Sequence, residues 1–184
     1  MALDTTLFFF LNNFAGRTAT LDGVIIFCAT YVPYIVVGIW ALYLHHTRRA
    51  WKDRLVPLVV AFVAAIIARV GVGSTIRYFF PRPRPFLTYH VHQLIFVHAP
   101  SFPSGHALFF WAFSTVVYLY SRKMGILCYV LTLLICMARV AAGIHYPSDM
   151  LAGAVLGIAS GYLTYRYIRP FIEQSRVWKV VEVR

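Results

Sequence analysis

Residues 55–76 read LVPLVVAFVAAIIARVGVGSTI, a run in which Arg69 is the only charged residue. An α-helix rises about 1.5 Å per residue, so this run is long enough to cross the roughly 30 Å hydrocarbon core of a bilayer. A backbone in lipid must satisfy its own hydrogen bonds, and helix is the form in which one isolated segment does so. Comparable apolar stretches occupy 24–44, 102–120, 124–142 and 150–168. Together they predict an all-α membrane protein, a bundle of about five transmembrane helices. The stretch at 102–120 opens with Pro103, Ser104, Gly105 and His106, so that end should line a protein cavity and not face lipid.

The rest of the composition agrees. Over 184 residues the chain is 60% hydrophobic and only 12% charged, too apolar for a water-soluble domain of this length. The net charge of +11 is scattered between apolar runs and forms no basic stripe interleaved with recognition aromatics. That excludes nucleic acid as the expected partner and points to membrane topology plus an anionic ligand. Cys28, Cys128 and Cys136 lie in apolar stretches without metal or redox spacing, which suits core packing. Asp4 stands where a cleavable signal would carry basic residues, so the first span is expected to direct insertion. Residues 5–14 place Leu7, Phe8, Phe10, Leu11 and Phe14 near one helical face, an interfacial helix within a 1–20 interfacial segment. No internal repeat is evident; a single domain over 1–184 closes on a polar tail at 174–184.

Loop charges set the orientation. Arg48, Arg49, Lys52 and Arg54, then Arg122 and Lys123, then Arg166, Arg169, Arg176, Lys179 and Arg184 fall on one side, which the positive-inside rule makes cytoplasmic. Arg77, Arg82, Arg84 and Arg139 fall on the other side, against that rule, and an anion-binding site on the outer face accounts for them. The same face receives Ser104 and His106 at the start of one span and His145 and Asp149 at the start of another.

These residues form three motifs: Arg77-x6-Arg84-Pro85, Pro103-Ser104-Gly105-His106, and Ala138-Arg139-x5-His145-x3-Asp149. In order and spacing they resemble the type 2 phosphatidic acid phosphatase family of lipid phosphatases, whose pattern is Lys-x6-Arg-Pro, Pro-Ser-Gly-His and Ser-Arg-x5-His-x3-Asp. Arg77 replaces the Lys, keeping charge in a bulkier forked group, and Ala138 replaces a Ser that donates. The resemblance implies a histidine nucleophile at His145 and a helical membrane core.

The residue chemistry supports the same assignment. A phosphoryl group in transfer carries charge on its equatorial oxygens, and guanidinium forks at Arg77, Arg84 and Arg139 suit them. Ser104 and Gly105 begin a helix whose free N–H groups hold an anion, Ser104 also being able to cap it and Gly105 allowing close approach or tight packing. Asp149 reaches back one turn to His145 and holds its tautomer, leaving the other ring nitrogen to attack phosphorus. His106, on the opposite side of the phosphate, is the expected general acid and then base. Arg82 and Arg84 sit two apart in an extended Pro-Arg-Pro-Arg-Pro run and point differently; Arg82 is expected to anchor lipid headgroups instead of the pocket. Arg69, roughly 80° round the helix from Arg77, either supports the pocket or satisfies a carbonyl, and it stands outside the expected site. His90, His92 and His98 fit no zinc spacing; the 86–102 segment reads as an interfacial loop shaping substrate choice.

The expected activity is therefore hydrolysis of a membrane lipid carrying a phosphate or diphosphate, through a phosphohistidine, with no metal and no cofactor. Within the resembled family, small size and an outward site are similar to bacterial undecaprenyl-diphosphatases of cell-wall lipid recycling. That implies the bacterial cytoplasmic membrane, with the site on its periplasmic or extracellular side. Phosphatidylglycerol phosphate, phosphatidic acid and lipid A phosphates are the alternative substrates. An anion or lipid transporter is the rival from another class, since intramembrane Arg and His also line transport paths, and an inactive scaffolding subunit is a third.

Overall fold

The computed structural model describes residues 2–48 and 50–175. Arg49 and the tail residues from 176 onward, including Arg176, Lys179 and Arg184, lie outside the described residues. All regular structure among those described is helical, and each of the five apolar stretches is mostly helix. In chain order the helices are α1 (Ala2–Asn12), α2 (Ala19–Thr30), α3 (Val32–Thr47), α4 (Trp51–Ile66), α5 (Gly73–Phe79), α6 (Pro85–Thr88), α7 (Gly105–Tyr120), α8 (Arg122–Ala141), α9 (Pro147–Leu163) and α10 (Arg169–Gln174). A π-helical turn at Ile67–Val72 joins α4 to α5, and another at Thr164–Ile168 joins α9 to α10.

Two continuous helices are long and apolar enough to cross a bilayer, Trp51–Phe79 and Arg122–Ala141, and α2 with α3 make a third such segment bent by 48°. The stretch expected as one straight span at 24–44 is thus broken at Tyr31. Pro33 near the start of α3 explains this: it has no N–H for the carbonyl four residues back, and its ring crowds that turn. The freed carbonyl is that of Ala29, and it is not wasted, as the site shows.

Helix α7 is the centre of the bundle and packs on α9, α8 and α4. Its contact with α9 is close because Gly153, Gly157 and Gly161 recur every fourth residue. A Cβ on them would fall 2.5 Å from Ala107 Cβ, 2.8 Å from the Leu108 carbonyl oxygen and 2.6 Å from the Ala112 carbonyl oxygen, respectively. Small residues at this spacing let two helix backbones approach within a membrane, where apolar burial alone gives no preference for protein over lipid. The core below the site is filled by Trp40, Val60, Ala64, Phe113, Val116 and Ile135.

The N-terminal helix is more than the surface anchor expected of it. It spans Ala2–Asn12, and Phe8 and Asn12 are buried against the bundle. Asn12 Nδ2 donates to the carbonyls of His92 and Ala141 at 2.8 Å each. Asn12 Oδ1 accepts from the His92 N–H at 3.2 Å. One side chain thereby staples α1 to the 89–104 loop and to the end of α8. The chain then turns through Gly143, whose φ of +80° favours a residue without a Cβ, and this turn delivers His145.

Candidate active site

Asp149 lies in the first turn of α9, behind Pro147, which needs no N–H at that position. Its fully buried carboxylate accepts from four groups or faces them. Oδ2 accepts from the Tyr146 N–H at 2.9 Å and from Ser101 Oγ at 2.5 Å, and lies 3.3 Å from His145 Nδ1. Oδ1 accepts from Arg82 Nη1 at 2.8 Å. With Nδ1 turned to the carboxylate, the proton belongs on that nitrogen, and Nε2 keeps its lone pair.

His145 Nε2 faces Arg84 Nη1 at 3.3 Å and Ser104 Oγ at 3.4 Å. Arg84 is buried and aimed by carbonyls: Nε donates to Ala99 at 2.5 Å, Nη1 to Ile144 at 2.6 Å and Nη2 to Pro100 at 3.3 Å. A guanidinium pinned in this way loses little freedom on meeting an anion. Ser104 caps α7, accepting from the Ala107 N–H at 3.4 Å, while its own N–H donates to the Asp149 carbonyl at 3.2 Å. The α7 N-terminus is thereby locked to the helix that carries Asp149.

Arg139, at the end of α8, donates from Nη1 to the Ala29 carbonyl at 3.4 Å, the carbonyl that Pro33 leaves unpaired. Its Nε–H is buried without a partner among the described residues. Such an orphan donor costs about 1–3 kcal/mol, which an anionic oxygen would relieve. Arg77 folds back along its own helix, Nη2 donating to the Arg69 carbonyl at 3.0 Å. A Cβ on Gly105 would lie 3.2 Å from Arg77 Nη1 and 3.5 Å from Arg69 Nε, so the missing side chain makes room for two guanidiniums over the start of α7. His106 follows directly, its ring stacked on Phe110. The charges of Arg139, Arg69 and Arg84 and the ring of His145 all lie within electrostatic range of it.

The structure therefore brings together all eight residues expected in the site. Three more were not expected there. Arg82 bridges Asp149 and Asp4, donating to each at 2.8 Å, and its guanidinium lies 3.9 Å from the Tyr146 ring centre; it is no headgroup anchor. Asp4 also accepts from the Ser148 N–H at 2.9 Å and the Ser148 hydroxyl at 2.7 Å. Ser101, buried beside Asp149, was missed because a lone Ser two residues before a Pro carries no periodicity or motif. The extended Pro-Arg-Pro-Arg-Pro run did hold a signal for Arg82: two arginines pointing apart can serve two faces of one carboxylate-imidazole pair.

Burial pushes the His145 imidazole down to about 4. The Asp149 hydrogen bond pulls the other way, and the guanidiniums of Arg139 and Arg84 add to the fall. At neutral pH the ring is uncharged, the state a nucleophile needs. For the outlying Asp4, burial would raise the carboxyl, but donation from Ser148 and Arg82 outweighs it and holds Asp4 below the usual range. Among the described residues, no three His, Cys, Asp or Glu side chains are grouped to hold a metal ion, and His90, His92 and His98 make no such group. At the opposite end of the bundle a cavity of about 330 Å³ is lined by Arg48, Lys52, Asp53, Tyr120 and Glu173 and holds no histidine.

A pinned cation cluster around a neutral imidazole backed by a carboxylate belongs to phosphate chemistry in a membrane. The PAP2 superfamily matches residues 56–173, and the chain belongs to that superfamily of membrane lipid phosphatases. The Bacillus licheniformis protein named bacitracin transport permease protein BcrC is 32% identical over 167 residues, 89% of this chain and 79% of that protein. Undecaprenyl-diphosphatase BcrC of Bacillus subtilis is 30% identical over 170 residues, 89% of this chain and 84% of that one. The crystal structure of Aquifex aeolicus LpxE superposes with a TM-score of 0.73 at 27% identity, covering 91% of this chain and 97% of that chain.

Proposed function

We propose that the protein hydrolyses undecaprenyl diphosphate to undecaprenyl phosphate and inorganic phosphate, at the outer face of a bacterial cytoplasmic membrane. The observation that carries the reaction is the two-sided environment of His145: Nδ1 on Asp149 and Nε2 toward Arg84 and Ser104. The substrate follows from the undecaprenyl-diphosphatase among its relatives, and the orientation from the basic residues at the end opposite the site.

In this reading, a terminal phosphoryl group sits among Arg77, Arg84 and Arg139, with the Ser104 hydroxyl and the Gly105 N–H at the start of α7 completing its surround. His145 Nε2 attacks phosphorus. The bond to the lipid-side oxygen breaks, and His106 gives that oxygen a proton. A water then attacks the phosphohistidine, His106 takes the water's proton, and phosphate leaves. The fixed guanidiniums supply the charge stabilisation that a magnesium ion gives in other phosphoryl transfers, so no metal is required.

The test is purified protein supplied with lipid labelled in its terminal phosphate, then quenched in denaturant. Wild type should carry acid-labile, base-stable label on histidine; His145→Ala should carry none and release no phosphate. Label retained in His145→Ala would refute the assignment, and a lipid panel with phosphatidylglycerol phosphate, phosphatidic acid and lipid A decides the substrate.

A further inference from the structure

Arg69 is the single charge in the 55–76 run, and in an unbroken α-helix it would lie roughly 80° round from Arg77. The π-helical turn Ile67–Val72 changes this register. Hydrogen bonding from i to i+5 turns the chain through a smaller angle per residue than the α-helix does, so the eight-residue separation no longer carries Arg69 to another face. The outcome is the pair of guanidiniums over Gly105 described above. Arg69 and His106, with Thr30 and Tyr34, line a cavity of about 350 Å³ whose apolar walls include Val37, Phe62 and Phe109. Among the described residues, the Arg69 guanidinium makes no hydrogen bond and no ion pair. An uncompensated arginine within a span costs on the order of 3 kcal/mol on insertion scales, so its persistence calls for an anionic partner.

We propose that Arg69 binds the second, lipid-linked phosphate of a diphosphate substrate and so sets a preference for diphosphates over monophosphates. The inference rests on the reading of His145 as nucleophile. In an in-line displacement the leaving group stands opposite the attacking nitrogen, which is the His106 side, where the Arg69 cavity lies. With a diphosphate, the Nε2–P bond forms as the bridging P–O bond breaks. The electron pair stays on the bridging oxygen, which takes the proton of His106, and the departing group is the lipid monophosphate, whose anionic oxygens meet Arg69. With a monophosphate the departing group is a neutral alcohol once protonated, and Arg69 has nothing to bind. The apolar walls then receive the chain that follows the phosphate.

The experiment compares wild type, Arg69→Gln and Arg69→Lys on a prenyl diphosphate and a prenyl monophosphate of equal chain length, each protein first checked by thermal melting. Wild type should prefer the diphosphate. Arg69→Gln should lose about 100-fold in kcat/KM on the diphosphate, the scale of one lost transition-state donor, with monophosphate turnover changed little; Arg69→Lys should recover part of the loss. A readout independent of any variant is inhibition of wild-type monophosphate turnover by methylenediphosphonate, which should exceed that by inorganic phosphate. Equal losses on both substrates, an unchanged diphosphate rate, or equal inhibition by the two anions would overturn the role of Arg69 while leaving the phosphatase standing. A wild type that releases phosphate from neither lipid would instead overturn the underlying activity.

Discussion

Arg82 and Asp149 are ion-paired at 2.8 Å, and the other arm of the same guanidinium holds Asp4 of the N-terminal helix. The carboxylate that orients His145 is therefore gripped from both sides, by the imidazole and Ser101 on Oδ2 and by Arg82 on Oδ1. Residues that orient a catalytic group without touching the substrate commonly change rate more than affinity.

Arg82→Ala should accordingly lower kcat by about 10- to 100-fold with KM nearly unchanged, and Asp4→Asn should do the same more weakly. Initial rates of phosphate release over a range of lipid concentrations separate the two constants. A rise in KM with kcat preserved would place Arg82 on the substrate instead.

The pairing of Arg139 with Ala29 depends on Pro33, which cannot donate to that carbonyl. In Pro33→Ala the new N–H competes for Ala29, and Arg139 loses its anchor. Phosphate or vanadate should then bind up to about 10- to 150-fold more weakly, since one charge-assisted hydrogen bond is worth about 1.5–3 kcal/mol. Isothermal titration of wild type and variant measures this, and equal affinities would show that the break in the first span serves packing alone.

Close approach of α7 and α9 depends on glycine. A Cβ at Gly157 would lie 2.8 Å from the Leu108 carbonyl oxygen and 3.1 Å from the Ala112 nitrogen, both backbone atoms that cannot step aside. Gly157→Ala should cost about 1–3 kcal/mol through overpacking and lower the melting temperature in detergent. Gly38→Ala, where nothing lies within 4 Å, is the control and should melt no lower than wild type.

Because burial holds His145 near 4, its ring stays neutral as pH falls through the ordinary histidine range. The unfolded chain binds a proton there that the folded protein refuses, so this residue contributes stability at neutral pH that is lost as pH falls from about 6.5 toward about 4. Nitrogen NMR of selectively labelled histidine, with His145→Gln for assignment, should show the neutral pattern at pH 5.5. A midpoint near 6.5 would contradict it.

Much of the site was legible without coordinates. Arg84, Arg139, His106, His145 and Asp149 were readable as candidates because their motif spacing and the order of apolar stretches put them at one end, and charges are costly in lipid unless used. The five helical stretches were readable for a similar reason, since an apolar run of that length has one form in a bilayer. Legibility failed at Ser101 and Asp4. A neutral serine and a lone N-terminal carboxylate carry no periodicity, and their meaning arises from partners 48 and 78 residues distant.

By itself, the sequence determined the class: an all-helical membrane protein of a lipid phosphatase family, with a candidate site specified by short motifs. Local spacing suffices for these because side-chain type and helical period act over a few residues. Only the tertiary structure decided which groups share a hydrogen bond. It joined Arg139 to a carbonyl freed by a proline, set Arg69 beside Arg77 over Gly105 through a π-helical turn, and wired α1 to Asp149. Those relations depend on the register and angle between helices, which are set by side-chain packing across the bundle and which no one segment encodes.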